Sequence, residues 1–290
     1  MTLRRCRAGL LILSAPIVCC LTLASSAAAQ SQPKLLSAED HLKRGDELRS
    51  KKDWDGAIAE YREALGLNPK NDAAHYALGV ALGKKGDWNG AIAEEREALR
   101  LNPKNPLAHY ALGVALGPKG DLDGAIAEYR EALRLEPRND LVHNALGMAL
   151  EVKGDWDGAI TEYREALRLN PKNEHAHIFL GETLGYEGDL GGAIAEEHEA
   201  LRLNPNNPLA HYALGVALGK KGDLGGAIAE ERESVRLDPK NALTRSALGH
   251  ALERKQDLQG ALDEYRAAHT LDPENAQFKQ DYERLLKKLK

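Results

Sequence analysis

Six histidines stand 34 residues apart, at His41, His75, His109, His143, His177 and His211, and three glutamates, Glu95, Glu197 and Glu231, share one place in the same register. Imidazole and carboxylate are the donors of transition-metal sites and of proton-transferring pairs. Equivalent histidines in stacked units lie about 10 Å or more apart, against a Zn–N bond of about 2 Å, so no two of them share one ion. A metal site would need the glutamates as further ligands, for instance Glu95 beside His75 or His109. The plainer expectation is a half-buried histidine hydrogen-bonded to that carboxylate or to backbone. His175 and His177 resemble a chelating pair, but residues two apart on a helix do not face each other.

Other chemistry finds no foothold. All three cysteines (Cys6, Cys19, Cys20) lie in the first 29 residues, and there is no Gly-x-Ser-x-Gly elbow and no phosphate-cradling glycine loop. Carboxylates are spread evenly along the chain. The expectation is therefore no catalytic, cofactor-binding or metal-binding residues, and a protein that is not an enzyme.

The elements that position these residues follow from one period. A proline recurs at Pro69, Pro103, Pro137, Pro171, Pro205, Pro239 and Pro273, dividing the chain into seven gapless units: 38–71, 72–105, 106–139, 140–173, 174–207, 208–241 and 242–275. In the second unit Ala77, Leu78, Ala81 and Leu82 recur at helical spacing, Gly86-Asp87 interrupts, and Ala91, Ile92, Ala98 and Leu99 resume the period. Each unit thus reads as helix, turn, helix. An aspartate (Asp53, Asp87, Asp121, Asp155, Asp189, Asp223, Asp257) precedes every second helix, where its oxygen can cap free amides and meet the positive end of the dipole. The residue before each proline is pushed out of the helical region, which ends that helix. A unit of this length cannot bury its apolar face alone, so the copies must stack.

These residues resemble the tetratricopeptide repeat (TPR) family. In the fourth unit the signature reads Leu146-Gly147, Leu150, Ala159, Tyr163, Ala166 and Pro171, and the other units match at most of these places over residues 38–275. The resemblance implies an all-α protein, a right-handed α-solenoid of seven helix-turn-helix units. Its small residues, such as Gly147 and Ala159, let the helices of one unit approach closely, and the first helices line a concave groove. The groove candidates are Tyr76 and Val80, Tyr110 and Val114, Asn144 and Met148, Ile178 and Glu182, Tyr212 and Val216, and Ser246 and His250, each pair four apart and on one helix face. The lysine and asparagine set with which the carboxylate-clamp branch of the family grips acidic C-termini is absent here.

Three features depart from the family pattern. The histidine ladder occupies a place where a large residue is usual. A glycine (Gly56, Gly90, Gly124, Gly158, Gly192, Gly226, Gly260) opens every second helix at a propensity cost of up to about 1 kcal/mol. Glu95, Glu197 and Glu231 replace the tyrosine seen at Tyr61, Tyr129, Tyr163 and Tyr265. A carboxylate in such a packing position needs a partner or water.

The ends differ from the middle. Residues 276–290 place Phe278, Tyr282, Leu285, Leu286 and Leu289 on one stripe, which reads as a C-terminal capping helix, and residues 30–37 read as a short linker. Arg4, Arg5 and Arg7, an apolar run from Ala8 to Ala24, and Ala27-Ala28-Ala29 before Gln30 read as a signal peptide cleaved after Ala29, giving a periplasmic or secreted protein with no stable membrane anchor. Without those three arginines the balance is 36 basic against 44 acidic residues, and no basic stripe is present to grip nucleic acid. The expected function is an exported, non-catalytic scaffold that binds a protein or peptide partner in its groove. The alternatives are a metal- or pH-responsive module built on the His and Glu residues, or a homotypic assembly scaffold that self-associates.

Overall fold

The structure, a computed structural model, describes residues 36–290; the basic start, the apolar run and the expected cleavage after Ala29 lie outside the described residues. Helix pairs follow one another at the 34-residue period. The first helices are α1 (Ala38–Ser50), α3 (Asp72–Lys84), α5 (Pro106–Leu116), α7 (Asp140–Lys153), α9 (Glu174–Glu187), α11 (Pro208–Lys221) and α13 (Ala242–Arg254). Their partners are α2 (Trp54–Leu67), α4 (Trp88–Leu101), α6 (Leu122–Leu135), α8 (Trp156–Leu169), α10 (Leu190–Leu203), α12 (Leu224–Leu237) and α14 (Leu258–Leu271), and α15 (Ala276–Leu289) follows. Among the described residues there is no strand, and no helix is long and apolar enough to cross a membrane.

Local chemistry sets these boundaries. Each aspartate before a second helix accepts from the amide three residues on, as Asp87 does from Gly90 at 2.9 Å. The asparagine closing each unit caps the next first helix, as Asn71 does for Ala74 at 3.1 Å. The helix-start glycines now have a reason: a Cβ on Gly90 would stand 2.5 Å from Asp87 Oδ2 and 3.1 Å from Leu82 Cδ1. The missing side chain leaves room for the cap and for the preceding leucine.

Every helix packs on the next, and first helices also touch one another (α1 with α3, α3 with α5, α7 with α9, α9 with α11, α11 with α13). They therefore lie on the inner side of an α-solenoid. Within a pair the helices close where a glycine meets the side chain sixteen residues on. A Cβ on Gly147 would lie 2.6 Å from Tyr163 Cε1, and Tyr163 is fully buried. Polar α1 buries only Gly45, whereas α15 lays Phe278 and Leu285 against the last pair and leaves Leu289 exposed.

The histidine ladder ties the two helices of each pair, and its partners are not the glutamates the sequence suggested. His75 Nδ1 lies 2.6 Å from Glu94 Oε2, with the same bond from His41 to Glu60, His109 to Glu128, His143 to Glu162, His177 to Glu196 and His211 to Glu230. Glu95 is one residue away and faces elsewhere. In five copies Nε2 points at a carbonyl, such as Pro69 O at 3.2 Å from His75. Each of these rings is thus bracketed by a carboxylate and a carbonyl, two acceptors. The last pair keeps the pattern with a permanent cation: Arg245 donates to Glu264 at 2.8 Å and to Pro239 O at 3.0 Å.

Gly147→Ala is expected to lower stability by at least about 1 kcal/mol, since overpacking against the Tyr163 ring exceeds the helix-propensity gain. Gly66→Ala, where a Cβ meets nothing within 4 Å, is expected to be neutral or stabilising. Urea unfolding followed by circular dichroism of the two variants checks the contrast.

Candidate peptide-binding groove

The inner face is built from first-helix residues four apart, and it is not uniform. Tyr76, Val80, Tyr110 and Val114 line one cavity of about 200 Å³ between α3 and α5. Glu182, Tyr212 and Val216 line a second, of about 190 Å³, between α9 and α11. Between them, Asn144 contacts Met148, whose side chain is exposed.

Two groove candidates belong elsewhere. Ile178 is fully buried in a small cluster with Ala200 and Ala210, and Ser246 is also buried in the stack, so neither offers surface to a ligand. His250 is exposed but engaged, with Nδ1 2.8 Å from Tyr265 Oη and Nε2 3.4 Å from Asp281 Oδ2. The period assigned these residues to the groove, but it carries no information about side-chain size at a single unit interface.

Sequence reasoning missed a floor beneath the cavities. Where a unit carries tyrosine, the ring fills the space under the glycine, and the hydroxyls of Tyr61, Tyr163 and Tyr265 find acceptors in Asp46, Glu151 and Glu253 at 2.9, 2.9 and 3.0 Å. Where glutamate stands instead, the shorter chain ends under the glycine: Cβ atoms placed on Gly79 and Gly181 would meet Oε1 of Glu95 at 2.6 Å and of Glu197 at 2.5 Å. Glu95 and Glu197 are each 1% exposed, and none of their four carboxylate oxygens has a hydrogen-bond partner. Burying such a group without a partner is costly in its charged form. Burial, reinforced for Glu95 by the neighbouring Glu94 charge, accordingly pushes both carboxyls up to about 9. Burial raises Glu231 to about 8 against the pull of Arg254. Among the described residues no group of three His, Cys, Asp or Glu side chains converges as a metal site would require.

The buried glutamates and two histidines of the ladder give stability the same pH dependence. Above about 4.5 the unfolded chain releases carboxyl protons that the folded chain keeps at Glu95, Glu197 and Glu231, so stability falls as pH rises toward 8 to 9. At His143 and His177 burial alone would lower the imidazole, but the bonds to Glu162 and Glu196 and to proline carbonyls raise it. Their stabilisation is complete below about 6.5 and lost as pH climbs through the raised value. Thermal melts from pH 5 to 9 are expected to show steadily falling stability. Glu95→Gln is expected to flatten that slope by up to about 1.4 kcal/mol per pH unit.

No curated protein matches the sequence. Two family profiles do: one described as TPR repeat over residues 45–86, 84–117 and 186–222, and one described as Tetratricopeptide repeat over residues 110–174. Solved structures share the fold. A chain of the APC/C hetero-tetramer Cut9-Hcn1 superposes with a TM-score of 0.70 at 17% identity over 86% of this chain, which spans about half (53%) of that protein's length. PilF of Pseudomonas aeruginosa aligns with a TM-score of 0.65 at 23% identity, covering 75% of this chain and 97% of its own. YrrB, described as a TPR protein with an unusual peptide-binding site, gives 0.54 at 22% identity, covering 68% and 97%. The profile matches, the repeated helix pairs and these shared folds place this chain in the tetratricopeptide repeat family.

Proposed function

We propose that the protein is an exported, non-catalytic adaptor that binds a polypeptide along the inner face of its solenoid. The observation that carries this reading is the pair of cavities walled by Tyr76 and Tyr110 and by Tyr212, set on the face where first helices meet. Tyrosine offers large contact area at low entropic cost, and an apolar floor with polar breaks suits an extended or helical chain. Val114 and Met148 add exposed apolar surface on the same helix faces. The family is one of protein interaction scaffolds, and the description of YrrB names a peptide-binding site. Export is supported by the leader pattern and by the absence of cysteine from residues 30–290.

Selection from a random-peptide phage library tests the groove. Wild-type protein is expected to enrich a peptide family that Tyr110→Ala with Tyr212→Ala fails to bind, with the helical circular dichroism signal retained. Equal binding by the double variant would sink the groove reading. Tyr110 packs on the Tyr129 ring at 5.9 Å, so a loss of about 1 kcal/mol in stability accompanies its removal. Intact-mass measurement of protein recovered from its host envelope is expected to find Gln30 at the N-terminus.

A further inference from the structure

The three buried glutamates are not equivalent, because the same place in the following unit holds a different residue for each. Beside Glu231, Arg254 donates to Gly219 O at 2.8 Å, and its charge pulls against the effect of burial on that carboxyl. In the unit after Glu197, Lys220 donates to Gly185 O at 3.2 Å and holds its ammonium 4.8 Å from the Tyr186 ring centre. Gly185 and Gly219 are 34-residue equivalents of Gly83, which lines the Glu95 cavity. The counterpart of Lys220 and Arg254 over Gly83 is Pro118. That proline carries no charge, and α5 gives way to a 3₁₀ turn over Gly117–Lys119. The chain thus sets a cation toward Glu231, places Lys220 in the cavity between α9 and α11 that Glu197 does not line, and puts no cation at the equivalent place beside Glu95.

We propose that the cavity between α3 and α5 is a subsite for one lysine or arginine side chain of the bound polypeptide, its cation set against Glu95 and its methylenes against Tyr76 and Tyr110. This rests on the groove reading above and names the chemistry the groove selects. Both Glu95 oxygens lack partners within the protein and Glu95 lines the cavity, so the buried acceptor and the space leading to it coincide. A fork-shaped guanidinium or a compact ammonium each satisfies such a carboxylate, and aromatic walls favour either cation. Lys84 stands at the rim on α3 and makes no bond to Glu95. The titratable groups facing Glu95 are Glu94 on its own helix, Tyr76 and Lys84 on α3, and Tyr110 on α5. With its carboxyl held at about 9, the empty site is protonated at neutral pH. An entering cation ionises it and one proton leaves to solvent.

The test uses the full-length protein without its leader and a random-peptide phage library, selected in parallel on wild type, Glu95→Gln and Glu197→Gln. Wild type and Glu197→Gln are expected to enrich peptides with lysine or arginine at one fixed position, and Glu95→Gln to lose that preference. For a selected peptide, lysine-to-norleucine exchange is expected to weaken wild-type binding by about tenfold or more and to leave Glu95→Gln nearly unaffected. Calorimetry at pH 7 in buffers of different ionisation enthalpy is expected to read about one proton released per peptide with wild type and none with Glu95→Gln. Glu95→Tyr, which installs the ring that four other units carry, provides a second variant if Glu95→Gln unfolds. Enriched peptides without a basic preference, or a basic preference that survives both Glu95 variants, overturn this inference and leave the groove standing. Failure of wild type to enrich any peptide overturns both.

Discussion

A glycine backbone facing one side chain of its partner helix, once per unit, sets the distance on which the solenoid depends. Where that side chain is a tyrosine the ring fills the gap, as Tyr163 does beneath Gly147. The contact admits nothing larger than hydrogen at the glycine, and a Cβ there would meet the partner side chain at 2.4 to 2.6 Å in all seven pairs. Constant spacing lets a 34-residue period propagate through seven units. Each pair then contacts little beyond its neighbours, which makes stability a sum of local terms and leaves the inner face free to vary.

Variation at the contact itself produces the site. Replacing tyrosine by glutamate keeps the helix spacing but exchanges a space-filling ring for a shorter, polar chain. At Glu95 this leaves an unpartnered carboxylate in the cavity walled by Tyr76 and Tyr110, and at Glu197 an equally unpartnered one beneath Gly181. Helix packing and the lining of a cavity therefore share one position. A residue that would be a core defect in a globular domain becomes, in an open solenoid, the floor of a surface cavity.

Much of this was legible in the sequence because a period converts single residues into aligned columns. Helix pairs, aspartate caps and the apolar stripe of the last helix all follow from columns whose physical role is local. What escaped was relational. The carboxylate partners of the histidines, Glu60 through Glu230, and of Arg245, Glu264, form a column of their own nineteen residues downstream, so the signal was present; it was obscured by the rarer Glu95, Glu197 and Glu231 next door. The reason for the helix-start glycines required the position of the capping carboxylate. Burial of Ile178 and Ser246 depended on side-chain packing at particular unit interfaces, which no column average carries.

Arg245 gives the array a direction. The His143 and His177 straps, whose bonds raise the imidazole against the effect of burial, lose their charge as pH climbs through the raised value, whereas the guanidinium strap of the final pair holds at every pH a protein meets. The final pair also leans on α15, which ties to it through Arg284 and Glu253 at 2.6 Å. With nearest-neighbour coupling, rising pH weakens the straps of the fourth and fifth pairs, while the strap of the C-terminal pair keeps its charge.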